Sequence, residues 1–405
     1  MNILLSSYSV NPYHGSEDGI GWNWAVLLSK GFPDGKIYLV TKTCNEADTR
    51  RGIEEYGLEN VELVIVDPPY WLNWYREHNS AFHHMYYILW QALAYRWAKT
   101  SGIDFDIVHH VTMGDFRITG RMYKMKNAYT VFGPVGGGQS TPKALKDYER
   151  SKLIEGVREF INRSRAYSPL YKSHIRRFDK VYAINRETAE IISKALGRNC
   201  DRLFELALAD EFRNLEIKKE KTDGGVRLVF VGRLINKKGL ALLIDVINRL
   251  DRSLPFRLEI YGGGPMKNEL EEKIRLYGLE DRVSLFGEVE HTQISEAYKN
   301  GDVFIMPSLR ETSGNVLIEA MAHALPVCAL DMSICADLKE KDCGIFVNTA
   351  ADKETILNDF AKALETLITD EELRVRLGEN GYRYVNEELS WQRKFETVYR
   401  DFLNE

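Results

Sequence analysis

VRLVFVGRLINKKGLALLIDVINRL, Val226–Leu250, decides the fold. Val226–Val231 is a short apolar run rich in valine, which reads as a strand buried on both faces. Gly232 ends it, Arg233 and Lys238 stand in the loop, and Leu240–Leu250 carries a helical pattern. Strand, loop and helix make one β-α step, and the step repeats downstream. Leu258–Tyr261, Val283–Phe286, Val303–Met306, Val327–Leu330 and Ile345–Val347 read as further strands. Met266–Tyr277, Thr292–Lys299 and Val316–His323 read as helices between them. Such alternation predicts a doubly wound parallel sheet, an α/β fold.

The same grammar fills the first half. Asn2–Ser6, Ile37–Thr41, Val61–Val66, Ile107–Val111, Tyr129–Phe132 and Val181–Ile184 read as strands, with helices such as Trp22–Lys30 and Glu46–Tyr56 among them. The halves are separated by a polar run, EFRNLEIKKEKTDGG, that closes on a Gly-Gly stop. The predicted domains are therefore 1–208 and 226–389, joined by a linker at 209–225. Glu371–Glu388 and Trp391–Leu403 read as closing helices, the segment 390–405 packing back on the first domain.

Composition excludes several classes. The chain has 405 residues, 44% hydrophobic and 28% charged, which suits two or three ordinary globular domains. Its net charge of -5 argues against a chain-wide nucleic-acid footprint. Cys44, Cys200, Cys328, Cys335 and Cys343 are scattered and odd in number, against a disulfide framework or zinc knuckle and for a reducing compartment. MNILLSSYSV lacks the basic flank of a signal peptide, and no apolar run is long enough to span a bilayer. The expected location is cytoplasmic, with peripheral attachment at the inner face of the membrane left open. Tyr70–Ala98 is the most apolar window; its Trp71, Trp74, Trp90 and Trp97 suit a core helix or an acceptor-side wall. Lys143–Lys180 collects Arg150, Arg158, Arg163, Arg165, Arg176 and Arg177 around Tyr167, Leu170 and Tyr171. That mixture suits an anionic membrane or a lipid-diphosphate head group, or simply a solvated helical face.

Three features of the second half point to anion binding. Arg233 and Lys238 follow a strand end, where two cations suit a diphosphate. Gly262 and Gly263, in YGGGP, follow another strand and either let backbone approach a ligand or make a tight turn. The third is MPSLRETSGNVLIEAMAHALPV, Met306–Val327. Here Thr312, Ser313, Gly314, Asn315 and Val316 open a helix whose free N–H groups and dipole favour an anion. Glu319 lies just past its first turn, placed for a ribose diol, and Glu311 in the loop suits sugar hydroxyls. Each feature alone also reads as a cap or a surface charge.

Together they resemble the retaining glycosyltransferases of GT-B architecture, more narrowly glycosyltransferase family 4. The resemblance runs over nearly the whole chain. It rests on E-x7-E (Glu311, Glu319) and on G-R-L-x-x-x-K-G (Gly232, Arg233, Leu234, Lys238, Gly239). It implies two Rossmann-like domains facing a deep cleft. In such enzymes the Arg and Lys hold the donor diphosphate, the second Glu binds ribose, and the first contacts the transferred sugar. Family members more often carry Glu-Gly-Phe-Gly where Glu311, Thr312, Ser313 and Gly314 stand, a departure that bears on sugar preference. GSEDGIGWNWAVLLSKG resembles the family's first glycine loop, with Gly19 and Gly21 reaching the diphosphate. GPVGGGQSTP resembles a segment of one branch, its Gly136, Gly137 and Gly138 shaping the acceptor side or forming a mobile surface loop. Relatives carry a histidine near the sugar; His109 and His110 are the candidates, although the usual spacing falls on Val111, and either suits a structural role.

The implied activity moves a hexosyl or N-acetylhexosaminyl unit from a nucleoside-diphosphate sugar, UDP-linked, to a glycan or lipid-linked acceptor of cell-surface polysaccharide or glycoconjugate synthesis. The sugar nucleotide is co-substrate, and no cofactor or metal is implied. Asp104-Phe105-Asp106 spells a metal-binding D-x-D, but it precedes a strand and so reads as a turn. Three rivals remain. A nicotinamide oxidoreductase needs a third glycine where Trp24 stands. A nucleotide-sugar epimerase shares the fold. A non-catalytic sugar-nucleotide-binding partner of another transferase would keep the binding residues without the reaction.

Overall fold

The computed structural model describes residues 1–403 apart from 15, 70, 71, 73–79, 206, 209–211, 216, 218–224 and 313. The chain divides into two compact units. Met1–Gly138, Phe160–Leu206 and Trp391–Glu405 make the first; Gln139–Glu159 and Ala207–Ser390 make the second.

The first unit is built on β1 (Asn2–Ser7), β2 (Lys36–Thr41), β3 (Val61–Ile65), β4 (Ile107–Thr112), β5 (Tyr129–Val135), β6 (Lys180–Ala183) and β7 (Asp201–Arg202). They pair in parallel in the order β3-β2-β1-β4-β5-β6-β7. β4 is buried at every position, as expected of a strand covered by helices on both faces. The second unit repeats the scheme with β8 (Val226–Val231), β9 (Phe256–Tyr261), β10 (Val283–Gly287), β11 (Val303–Met306), β12 (Val327–Leu330) and β13 (Gly344–Val347). Their order is β10-β9-β8-β11-β12-β13. Each sheet thus reverses direction at one seam, β1/β4 in the first and β8/β11 in the second. Loops leaving the carboxyl ends of seam strands diverge to opposite faces and open a crevice for ligands. In the second unit those loops are residues 232–239 and 307–314.

Two expectations are corrected. Residues 139–159, assigned from sequence to the first domain, pack with the second unit, because Leu145 and Tyr148 join its hydrophobic core. The glycine segment around Gly19 and Gly21 is not a loop. Both lie inside a helix, Ser16–Gly31, that starts six residues earlier than its apolar pattern suggests. The closing helix Trp391–Tyr399 belongs to the first unit, its Trp391 ring 6.1 Å from Trp24. Most of the expected linker 209–225 lies outside the described residues, as do Trp71 and Trp74. The aromatic window yields a helix, Ser80–Thr100, whose Tyr87 and Trp90 are fully buried against Tyr8. Among the described residues no helix is long and apolar enough to cross a membrane.

Candidate functional site

In the second unit backbone bonds stitch the β8 loop to the end of β9 and to the β11 loop across the seam. The N–H of Gly232 donates to Tyr261 O at 2.9 Å, and Leu309 N donates to Lys237 O at 2.9 Å. Gly239 has φ +72°, and a Cβ there would lie 1.9 Å from Pro307 O. A Cβ on Gly262 would lie 2.0 Å from Gly232 O, and one on Gly263 2.5 Å from Glu288. The Y-G-G-G-P glycines therefore let the β9 loop lie directly on the β8 loop and on its own neighbour. Close packing within the protein accounts for both.

Across this stitched seam Lys238 Nζ donates to Glu311 Oε2. The two side chains are 17% and 13% exposed. Glu311 is fixed further by the Ser308 hydroxyl at 3.3 Å and by the N–H of Thr312 at 3.2 Å. Arg233 is exposed and pairs with no carboxylate among the described residues. Desolvation pushes the Lys237 ammonium below its usual range; Lys238, Arg310 and Arg233 push the same way and Glu311 opposes them. Of these four cations Lys238 is paired with Glu311 and Arg310 with Glu149 and Glu155, which leaves Lys237 and Arg233 as the uncompensated positive charge of the β8 loop among the described residues.

Three residues beyond Glu311, Gly314 takes φ +69° and opens the helix Asn315–Ala322 with no side-chain cap. Its carbonyl accepts from Leu317 N and Ile318 N. The amides of Asn315 and Val316 have no partner among the described residues, and Asn315 Oδ1 is buried without one. Uncapped amides at a helix N-terminus present donors and a positive dipole end to an anion. One turn on, Glu319 accepts from the Tyr298 hydroxyl at 3.2 Å. Burial raises the Tyr298 phenol well above its ordinary value, so it stays a donor. Thr312 accepts from Gln139 Nε2 at 2.6 Å. Ser313 lies outside the described residues.

Sequence reasoning missed the support behind Glu311. Its neighbour Arg310 bonds Glu149 through Nε at 3.0 Å and Nη2 at 3.3 Å, and reaches Glu155 through Nη1 at 3.3 Å. Arg158 joins through Glu155 at 3.2 Å. The network ties 139–159 to the loop that carries Glu311. The sequence signal there was basic, Arg150 and Arg158 in a stretch read as an anion-facing or solvated face, and it did not point to Glu149 or Glu155.

The first unit places its candidates differently. Gly21 sits where a Cβ would lie 2.2 Å from Ser7 Oγ and from Ser9 O, so it lets the first helix rest on the end of β1. Its amide is inside the helix, whereas that of Gly19 is in the first turn. His109 uses both ring nitrogens, toward Tyr399 OH at 2.5 Å and Gly133 O at 2.7 Å. His110 does the same with Ser6 Oγ at 2.9 Å and Tyr87 OH at 2.7 Å. Burial lowers them to about 4 and about 3, so both are neutral, structural rings. Neither offers a free nitrogen to a ligand, which corrects their candidacy as catalytic groups. Gly136 and Gly138 are buried and Gly137 half-buried. Gly136 N bonds Gly114 O at 2.6 Å, so this loop is anchored. Asp106 accepts from Asn2 N at 2.7 Å at the amino end of β4, away from the ligand end of the sheet. Among the described residues no three His, Cys, Asp or Glu side chains converge as a metal-ligand set.

Residues 211–384 match the family model described as glycosyl transferases, group 1. The gpi3 subunit of phosphatidylinositol N-acetylglucosaminyltransferase from Schizosaccharomyces pombe is 33% identical over 144 residues, 35% of this chain and 30% of that protein. The sulfoquinovosyl transferase SQD2 of Arabidopsis thaliana is 31% identical over 189 residues, 45% of this chain and 34% of its own. The alpha-D-kanosaminyltransferase of Streptomyces kanamyceticus is 30% identical over 189 residues, 44% and 47% of the two chains. The chain thus spans less than half the length of these relatives. Among solved structures, the lipopolysaccharide outer core galactosyltransferase WaaB superposes with a TM-score of 0.61 at 16% identity, covering 99% of this chain and 100% of the other. Anabaena HepE, solved with UDP and glucose, gives 0.59 at 14% identity with both chains wholly covered. These likenesses establish the GT-B fold, two Rossmann-like domains.

Proposed function

We propose that this chain, whose residues 211–384 match the family model described as glycosyl transferases, group 1, is a retaining, metal-independent glycosyltransferase of cytoplasmic polysaccharide or glycoconjugate synthesis. It moves a hexosyl or N-acetylhexosaminyl unit from a UDP-linked sugar to a glycan or lipid-linked acceptor. The observation that carries the reading is the Lys238–Glu311 contact across the β8/β11 seam, with Arg233 exposed in the same β8 loop and the uncapped amides of Asn315 and Val316 where the β11 loop enters its helix.

In this reading the diphosphate lies on Arg233, Lys238 and the helix amides. Bond cleavage at the anomeric carbon places growing negative charge on the departing diphosphate. Cations and amides already fixed there stabilise that charge more than the ground state, which lowers the barrier. Glu319 accepts from the ribose diol, its carboxylate oriented by the Tyr298 hydroxyl. Glu311 accepts from hydroxyls of the transferred sugar while its other contact keeps the Lys238 ammonium in place. HepE binds UDP and glucose in its solved form, which favours a uridine base.

A panel of nucleotide sugars, first for thermal-shift stabilisation and then for UDP release with oligosaccharide and lipid-linked acceptors, tests the proposal. A UDP-sugar is expected to stabilise the protein, and transfer to keep the anomeric configuration. Arg233→Ala or Lys238→Ala is expected to lower turnover roughly 100-fold or more with folding intact. Near-normal turnover in both variants would refute the assignment. Conversion of the free nucleotide sugar without acceptor would make the protein an epimerase. Binding without transfer, with activation of a second subunit, would make it a partner.

A further inference from the structure

Helix Lys152–Arg165, KLIEGVREFINRSR, is inside out. Leu153, Ile154, Val157, Phe160 and Ile161 are 77%, 68%, 52%, 73% and 42% exposed. At about 100° per residue they cover one arc of roughly 120°. The opposite side carries Glu155, Arg158, Glu159 and Asn162, and it faces protein. Every inward polar group is met: Glu155 by Arg310 and Arg158, Glu159 by Lys146 at 2.8 Å, Asn162 by Arg117 Nε at 2.7 Å and Gly137 O at 3.0 Å. An amphipathic helix whose final surroundings are water turns its apolar stripe to the core. This one turns charge to the core and presents its stripe outward. Tyr167 and Leu170, 69% and 67% exposed, extend the apolar surface just past the helix end.

Among the described residues the exposed charge around the stripe is predominantly basic. The helix carboxylates point inward and are neutralised, while its exposed charges, Lys152 and Arg163, are basic, with Arg150 and Arg165 beside them. The exposed Asp147 nearby is bound by Lys152. We propose that this face inserts into the interfacial layer of an anionic membrane, with Leu153, Ile154, Val157, Phe160 and Ile161 among acyl chains and Arg150, Lys152 and Arg163 at the head-group phosphates. An anionic lipid surface complements both parts. Two copies of the stripe face to face would bring like charges together. The surface acts independently of the transfer reaction.

The test is flotation of the full-length protein with phosphatidylglycerol-containing and pure phosphatidylcholine vesicles. The protein is expected to float with the anionic vesicles, more weakly as salt is raised, and Phe160→Trp to show a blue-shifted emission there. Leu153→Glu with Phe160→Glu is expected to weaken binding roughly a hundredfold, the effect of keeping two large apolar side chains in water. Its thermal midpoint without lipid should not fall, since both positions are already solvated. Leu153→Ser with Phe160→Ser gives the same answer without new charge. Wild-type protein that stays with the aqueous fraction, or double variants that float unchanged, would overturn the proposal. A dimer dissolved by these substitutions, with no vesicle binding, would assign the face to a second copy.

Discussion

Replacing Arg310 by alanine tests whether 139–159 is anchored through charge. The guanidinium reaches Glu149 at 3.0 and 3.3 Å and Glu155 at 3.3 Å. Arg310 is 18% exposed, and the carboxylates 6% and 4%. The loss falls unequally. Glu155 keeps Arg158, but among the described residues Glu149 keeps only the Thr141 hydroxyl at 2.5 Å. One buried carboxylate is therefore left without a cation, and removing one partner of a buried pair costs about 3–5 kcal/mol. The Thr141 bond argues for the low end, about 3 kcal/mol. For a unit of roughly 200 residues this lowers the thermal midpoint by about 6–12 °C. Urea unfolding of Arg310→Ala measures the loss. Adding Glu149→Gln to that variant removes the stranded charge and should recover at least about 1 kcal/mol, a coupling that a mere packing defect does not produce. A loss below about 1 kcal/mol, or no recovery in the double variant, would refute the reasoning. Because Glu311 follows Arg310 directly, UDP-sugar stabilisation should weaken in parallel.

Two further outcomes follow from buried contacts. His109 and His110 are held at about 4 and about 3, below the ordinary 6.5 of the unfolded chain. The unfolded state therefore takes up protons first on acidification. Stability is fully present above about pH 6.5 and is lost as pH falls toward 4, by up to about 1.4 kcal/mol per unit for each ring. Urea midpoints across that window check this, and His110→Gln should flatten the slope. Gly239→Ala, whose Cβ would meet Pro307 O at 1.9 Å with φ +72°, should cost about 1–3 kcal/mol and push the two seam loops apart. Its signature is a lowered thermal midpoint together with reduced stabilisation by the sugar nucleotide. A stable variant with unchanged nucleotide binding would refute it.

The sheets were legible because both faces of every central strand are covered. A run such as VRLVFV is therefore apolar at every position but Arg227, which is half-buried, and its valines and its Gly232 stop mark it as a strand rather than a helix. Val226–Val231, Val303–Met306 and Val327–Leu330 fall where the pattern puts them. β7, two exposed residues long, has no apolar run to detect. The start of the helix Ser16–Gly31 was hidden because its first residues, Ser-Glu-Asp-Gly, are polar and glycine reads as loop. Only the 2.2 Å approach to Ser7 and Ser9 shows why glycine is needed at 21.

Within the seam, local order in the sequence places Lys238, Glu311 and Gly314 on loops that leave strand ends, and the structure puts them on those loops. Each follows a strand end, and topology alone brings those ends together. The residues behind them obey no such rule. Arg310 finds Glu149 across 161 positions, and no periodicity announces a partner at that separation. Helix 152–165 defeats periodicity in the other direction. Its apolar stripe is regular, so the pattern assigns that stripe to the core and the charges to water, the reverse of what Glu155 at 3% and Phe160 at 73% exposure record. A sequence pattern reports only that two faces differ. Which face turns inward depends on what waits there, and here Arg310 and Arg117 offer cations and Gly137 a carbonyl, groups that only a polar face can satisfy.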